Sequence, residues 1–182
     1  MADYIYLLES RLSQAQQRAL QAVREIARNK GLTVFLVGGA VRDLTSGSPV
    51  RDLDVAVQGN ALKLKKDLEK SGATIAGMNE PMQALFVRFA GGVRMEVGST
   101  LEVHFPKPGK PVVKAANLLD DLRRRDFTAN AMALSLNEGS YGLLISGQTT
   151  ASTPKTEYYA GAVTFDGVKS ISGAGWARAC RT

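Results

Sequence analysis

Cysteine occurs once in the 182 residues, at Cys180, and histidine once, at His104. A single thiol excludes an internal disulfide, and a single imidazole excludes a His-rich zinc site; His104 reads as a surface or rim residue. No apolar run approaches the roughly 20 residues that a membrane span requires, so no membrane partner is expected. The opening Met1-Ala-Asp-Tyr4 lacks the basic and apolar regions of a signal peptide. These shortages fit a reducing cytoplasm. What is present is ordinary for a globular protein, 45% hydrophobic and 22% charged residues, in a length that suits one well-buried domain. The formal net charge of +6 suits a polyanionic partner such as nucleic acid or nucleotide. Part of that excess is local, at Lys107, Lys110 and Lys114 and then at Arg123-Arg124-Arg125.

The densest chemistry lies between Leu36 and Gly59. Leu32-Thr-Val-Phe-Leu-Val37 is β-branched and apolar and reads as a buried strand. Gly38 and Gly39 follow at once, where glycine permits positive φ and lets phosphate oxygens reach the backbone. Ala40 to Leu44 can then open a short helix whose free N–H groups favour an anion. A tight strand-to-helix turn without a ligand is the alternative.

In Asp52-Leu-Asp-Val-Ala-Val57, period-2 alternation sends Leu53, Val55 and Val57 to one face and Asp52, Asp54 and Ala56 to the other. Aspartate is depleted from strands, and two on one face repel each other. A divalent cation offsets that repulsion, and Mg²⁺ shares its shell between carboxylates and substrate phosphates. The plain alternative is a solvated strand end. Val93-Arg-Met-Glu-Val-Gly98 alternates in the same way, so Glu96 becomes a third carboxylate beside the pair if its strand is the neighbour; otherwise it is an exposed glutamate.

Residues 4 to 30 read as one amphipathic helix, with Leu8, Leu12, Ala15, Ala19, Val23 and Ile26 in step and Gly31 placed to end it. Ala61 to Lys70 reads as another helix, capped by Asn60. Strands are expected at Ala73–Ala76, Ala84–Phe89 and Val93–Gly98, the last two joined across Gly91-Gly92. Pro106-Lys-Pro-Gly-Lys-Pro111 reads as a basic, mobile loop, lid-like near phosphates. Leu118, Leu119 and Leu122 mark a helical stripe, with Asp126 or Thr128 able to cap a following turn. Arginine forks downstream match phosphate oxygens bidentately. Met132–Leu136 and Tyr141–Ile145 read as a hairpin around Asn137-Glu-Gly-Ser140.

Three ordered stretches, Leu36-Val-Gly-Gly-Ala-Val-Arg-Asp43, Arg51-Asp-Leu-Asp54 and Asp121-Leu-Arg-Arg-Arg-Asp-Phe-Thr-Ala-Asn-Ala-Met-Ala133, resemble the head domain of class II CCA-adding enzymes and bacterial poly(A) polymerases. The likeness runs from about Leu32 to Ser135. It implies an α+β fold, a polymerase-β-like nucleotidyltransferase head in which a small mixed β-sheet backed by helices carries the carboxylates. On this reading residues 1–31 are an N-terminal helix and 32–145 the head. The implied activity is transfer of CMP or AMP from CTP or ATP to the 3′ end of tRNA, or poly(A) addition to RNA, by a two-metal Mg²⁺ mechanism. Asp52 and Asp54 match the metal-binding aspartates, with Glu96 as the candidate third catalytic carboxylate. Gly38 and Gly39 match the glycines against the triphosphate, with Arg42 and Asp43 supporting that turn. Arg124, Arg125, Asp126 and Asn130 match the arginine-rich motif beside ribose and phosphates.

The chain also departs from that pattern. After Glu96 the family strand continues to an arginine and Glu-x-Tyr, whereas here it reads Gly98-Ser-Thr-Leu-Glu-Val-His-Phe105. The base-selecting helix of the family, with Glu-Asp-x-x-Arg, is expected beyond this chain, as are the parts that grip tRNA. A catalytically inert fragment that only binds nucleotide and Mg²⁺ is therefore the alternative function. A stand-alone small nucleotidyltransferase with another acceptor fits the Arg-Arg-Asp-Phe-Thr motif less well. From Ser146 the composition changes: residues 146–182 contain no leucine, against twenty in 1–145, and hold the only tryptophan, Trp176, and the only cysteine. Shifting the back-translated frame of Gln148–Ala160 by one base permits a family-like continuation. The expectation is a frameshift near residue 146, with a naturally divergent tail as its alternative.

Overall fold

The computed structural model describes residues 3–107, 110–125 and 128–147. The tail reading for 148–182 and the capping role of Asp126 lie outside the described residues. Two helices open the chain, α1 (Tyr4–Arg11) and α2 (Gln14–Asn29), where the apolar periodicity predicts one. The break has a local cause. Ser13 is extended and forms a capping box with Gln16, its hydroxyl accepting from the Gln16 N–H while the Gln16 side chain accepts from the Ser13 N–H. The Ser-x-x-Gln signal starts a new helix inside an unbroken apolar stripe. Leu8, Leu12, Ala19, Leu20, Val23 and Ala27 all reach the main core from the two helices.

Among the described residues the main sheet has seven strands in the order β3-β4-β5-β2-β1-β8-β9. These are β1 (Thr33–Val37), β2 (Leu53–Gln58), β3 (Thr74–Asn79), β4 (Ala84–Arg88), β5 (Arg94–Ser99), β8 (Met132–Ser135) and β9 (Leu144–Ser146). All neighbours are antiparallel except β2 and β5, which run parallel. The fold is thus the mixed α+β arrangement expected. Helix α3 (Gly39–Ser46) follows β1 directly. Asn60 caps a 3₁₀ turn, Ala61–Leu64, and the α-helix α4 begins only at Lys65 and ends at Lys70.

Composition predicts a loop at 106–111; of that stretch, residues 106–107 and 110–111 belong instead to a two-stranded ribbon, β6 (Leu101–Lys107) and β7 (Lys110–Ala115). Proline is tolerated because each ribbon strand has an unpaired edge, and Pro106 falls in the register shift between His104 and Lys107. Residues 108 and 109, the centre of the expected loop, lie outside the described residues. His104 is exposed on β6, its Nε2 3.0 Å from Glu102 Oε1.

Alternation divides the sheet into two faces. Val34, Leu36, Leu53, Val55, Val57, Leu85, Val87, Met95 and Val97 pack into the main core under the N-terminal helices, α3 and α4. On the other face, Phe35, Val37, Ala56 and Ala133 are covered by Leu118 and Leu122 of α5 (Leu118–Arg123). Among the described residues, this short helix covers the β8–β1–β2 side of that face. Asp54 and Glu96 lie on the same face, just beyond it.

Candidate active site

The site begins at the end of β1. Gly38 has φ +66° and ψ −133°, which side-chain-bearing residues rarely adopt. A Cβ there would lie 2.9 Å from Arg125 Nη1 and 3.8 Å from Asp54 Oδ2. The glycine therefore lets backbone, guanidinium and carboxylate meet at one point. Helix α3 starts immediately after it, and Gly38 offers its first turn no side-chain cap. Such a turn leaves helix N–H groups to an incoming anion.

Arg42 folds back over Gly39, Nη2 lying 3.4 Å from where a Cβ would be. Its Nε and Nη2 donate to Asp43 Oδ1 at 2.9 and 2.8 Å, and Nη1 donates to Asn130 Oδ1 at 2.9 Å. These bonds tie α3 to the 3₁₀ turn Thr128–Asn130. Arg42, Asp43 and Asn130, three sequence candidates from two distant stretches, are thereby one bonded unit.

The parallel β2–β5 register sets Asp54 directly against Glu96. Both carboxyls are raised from their ordinary values. Burial contributes most at Asp54, followed by the adjacent Glu96, and pushes it up to about 7 against the pull of Arg125. Glu96 is raised by burial and partly offset by Arg125 and Arg124. Glu96 also turns along its strand, Oε1 standing 3.9 Å from where a Gly98 Cβ would be. Asp52 sits one residue before β2. Arg94 Nη2 donates to its Oδ2 at 3.0 Å and lies 2.7 Å from Oδ1 off the N–H axis, so Oδ1 is buried without a hydrogen bond.

Asp121, to which the motifs give no role, is the most connected acid of the site. It is 1% exposed. Its Oδ1 accepts from Arg124 Nε at 3.0 Å, from Arg124 Nη2 at 2.6 Å and from the Leu101 N–H at 3.2 Å. Its Oδ2 accepts from Arg125 Nη2 at 3.0 Å. The signal was legible as an acid with arginines at i+3 and i+4 on a helix. Arg125 Nε remains buried and unpartnered. Asp126 lies outside the described residues.

The donor set suits a hard divalent cation. Asp52 keeps a buried oxygen that accepts no hydrogen bond, and Asp54 carries a carboxyl that burial and the neighbouring Glu96 make costly to ionise, a combination a cation relieves. Among the described residues no group of three or more His, Cys, Asp or Glu side chains could hold a metal. The arrangement therefore suits a cation sharing its shell with substrate phosphates, not a closed protein cage. Hollows of about 300 and 500 Å³ lie elsewhere, between α1 and α2 and beside β7, and neither touches these carboxylates.

Residues 34–149 match the family described as the poly A polymerase head domain, well over half of the chain. The chain belongs to the poly(A) polymerase head-domain family. This head domain is 32% identical over 144 residues to an A-adding tRNA nucleotidyltransferase of Halalkalibacterium halodurans, covering 79% of the chain and 34% of that protein. It is 41% identical over 116 residues to the A-adding tRNA nucleotidyltransferase of Aquifex aeolicus, covering 63% of the chain and 14% of that protein. Its fold overlays the Thermotoga maritima CCA-adding enzyme in complex with tRNA at TM-score 0.66 and 27% identity, covering 80% of the chain and 32% of that one. The head domain thus spans about a third or less of the length of these relatives. No helix among its described residues is long and apolar enough to cross a membrane.

Proposed function

We propose that this chain is the catalytic head of a tRNA nucleotidyltransferase, adding CMP or AMP from CTP or ATP to an RNA 3′ end. The observation that carries the reading is the meeting at Gly38 of the Asp54 carboxylate, the Arg125 guanidinium and the start of α3. Mg²⁺ is the proposed cation, held by Asp52 and Asp54. When bound it supplies activation of the 3′-hydroxyl and neutralisation of the triphosphate. The chain's own residues do the rest. Gly38 lets phosphate oxygens approach the backbone and the N–H groups of α3. Arg125 and Arg124 face the same region, and Arg125 carries its positive charge to the phosphates while anchored on Asp121. Arg42, pinned by Asp43 and Asn130, holds the turn in shape. Glu96 adds negative charge beside Asp54 and so strengthens the demand for a cation. The transfer joins the RNA 3′-oxygen to the α-phosphorus and releases pyrophosphate. A cytoplasmic setting suits a tRNA substrate.

The chain's short span against its relatives supports a second reading, a fragment that binds nucleotide and Mg²⁺ without transfer. Incubation with Mg²⁺, labelled CTP or ATP and tRNA lacking its 3′ end separates the two. Incorporation that is abolished in Asp54→Ala supports the first. Mg²⁺-dependent nucleotide binding without incorporation supports the second. Binding and transfer that survive Asp54→Ala overturn the metal assignment.

A further inference from the structure

Arg94 is the one basic side chain of β5, and the motifs leave it without a role. The parallel register pairs Leu53 with Met95 and Asp54 with Glu96. One rung earlier Arg94 meets Asp52, with Nη2 3.0 Å from Oδ2 and 2.7 Å from Oδ1. Across the antiparallel β4–β5 pair its partner is Arg88, a like charge that favours leaning toward β2. The guanidinium thus stands beside the same carboxylate that the proposed Mg²⁺ uses. Its side chain is 46% exposed, against 29% for Asp52, so it can swing into solvent without opening the core. An ion pair of that exposure is weak enough for a divalent cation to displace.

We propose that Arg94 is a tethered counter-ion that occupies Asp52 in the absence of metal and competes with the divalent cation, setting its affinity. This rests on the metal reading of Asp52 and Asp54. The covalently attached charge neutralises one carboxylate of a crowded row and sits against both oxygens of Asp52, so a cation that reaches this carboxylate must displace it. Removing it deletes both a competitor and a nearby positive charge.

Titration of the 182-residue chain with Mn²⁺, following free Mn²⁺ by electron paramagnetic resonance, reads the effect without any turnover. Arg94→Gln is expected to bind Mn²⁺ about two- to fivefold more tightly, roughly 0.4–1 kcal/mol. Arg94→Lys, which keeps the charge and loses the fork, is expected between Arg94→Gln and the parent. In an Asp52→Ala background the Arg94→Gln gain is expected to vanish. Asp52-dependent binding that Arg94→Gln leaves unchanged or weakens overturns the role of Arg94 and spares the metal reading. If neither the parent nor Arg94→Gln shows Asp52-dependent Mn²⁺ binding, the metal reading falls, and the Arg94 role with it. Thermal melts of each variant establish that the fold is intact.

Discussion

At Asp54 the sign of the pH dependence follows from the environment. Its folded value is about 7 and its ordinary value 3.8, so between these the native state holds a proton that the unfolded state has lost. Stability from this group is therefore highest at and below about pH 4 and falls as pH rises to about 7. Glu96 is shifted the same way and adds to the slope. In chelator, thermal melts are expected to weaken across this range by an amount on the order of a few kcal/mol, and Asp54→Asn to flatten much of the decline. A divalent cation is expected to restore stability at the upper end, because it takes the place of the proton. An Asp54→Asn slope equal to the parent's would place the cause elsewhere. Arg125 gives a second test at this scale. Arg125→Lys keeps the charge but loses the fork that spans Asp121 and the Gly38 turn. Nucleotide affinity is expected to fall about tenfold, roughly 1.4 kcal/mol, measured by titration with and without Mg²⁺. Affinity equal to the parent's would reduce the arginine to a general electrostatic contribution.

The helix α5 carries the next level of organisation. Asn117 caps it by accepting from the Asp120 N–H at 3.0 Å, Leu118 and Leu122 seat it on the sheet, and Asp121 turns inward to bind two arginines and the start of β6. Helix, ribbon and arginine cluster therefore share one buried carboxylate. Asp121→Asn keeps a single carbonyl acceptor and no charge. It is expected to cost about 1–3 kcal/mol in chemical denaturation, since two arginines lose their counter-charge but retain partial access to water. Asn117→Ala removes only a cap and is expected to cost about 1 kcal/mol. The two also differ in the site: Asp121→Asn is expected to weaken nucleotide binding, while Asn117→Ala leaves it near the parent value. Equal effects on binding would mean that α5 acts only as a covering helix.

For the whole molecule, the N-terminal helices are the largest contributors outside the matched head segment. Leu8, Leu12, Leu20 and Val23 fill the core against β1, β2 and α4. Deleting residues 1–31 would expose that sheet face to water, where burial of each large apolar side chain is worth about 1.5–3 kcal/mol. The shortened chain is expected to lose its cooperative thermal transition by circular dichroism. A sharp transition near that of the parent would show that the head folds without the helices.

What the sequence determined by itself is local in origin. The apolar run into Gly38-Gly39 and the alternation around Asp52 and Asp54 are set by propensity and period and stand where expected; the Asn137–Ser140 hairpin also forms, but its second strand begins at Leu144 and not at Tyr141. The Ser13 capping box was equally local, yet an unbroken apolar stripe masked it, because periodicity does not register a change of helix axis. The ribbon at 101–115 was hidden by prolines, whose penalty disappears only on strands with free edges. The parallel pairing of β2 with β5 belongs to tertiary structure alone. Forty-one residues lie between Asp54 and Glu96, and only the strand order makes them neighbours and adds the charge of Glu96 to the burial that raises the pKa of Asp54. The same holds for Arg94 on Asp52, for Arg42 on Asn130 and for Arg125 against Gly38. Residue types and spacings could name the groups that carry charge, but which charge faces which is decided when the sheet closes, since burial and distance set the strength of each interaction.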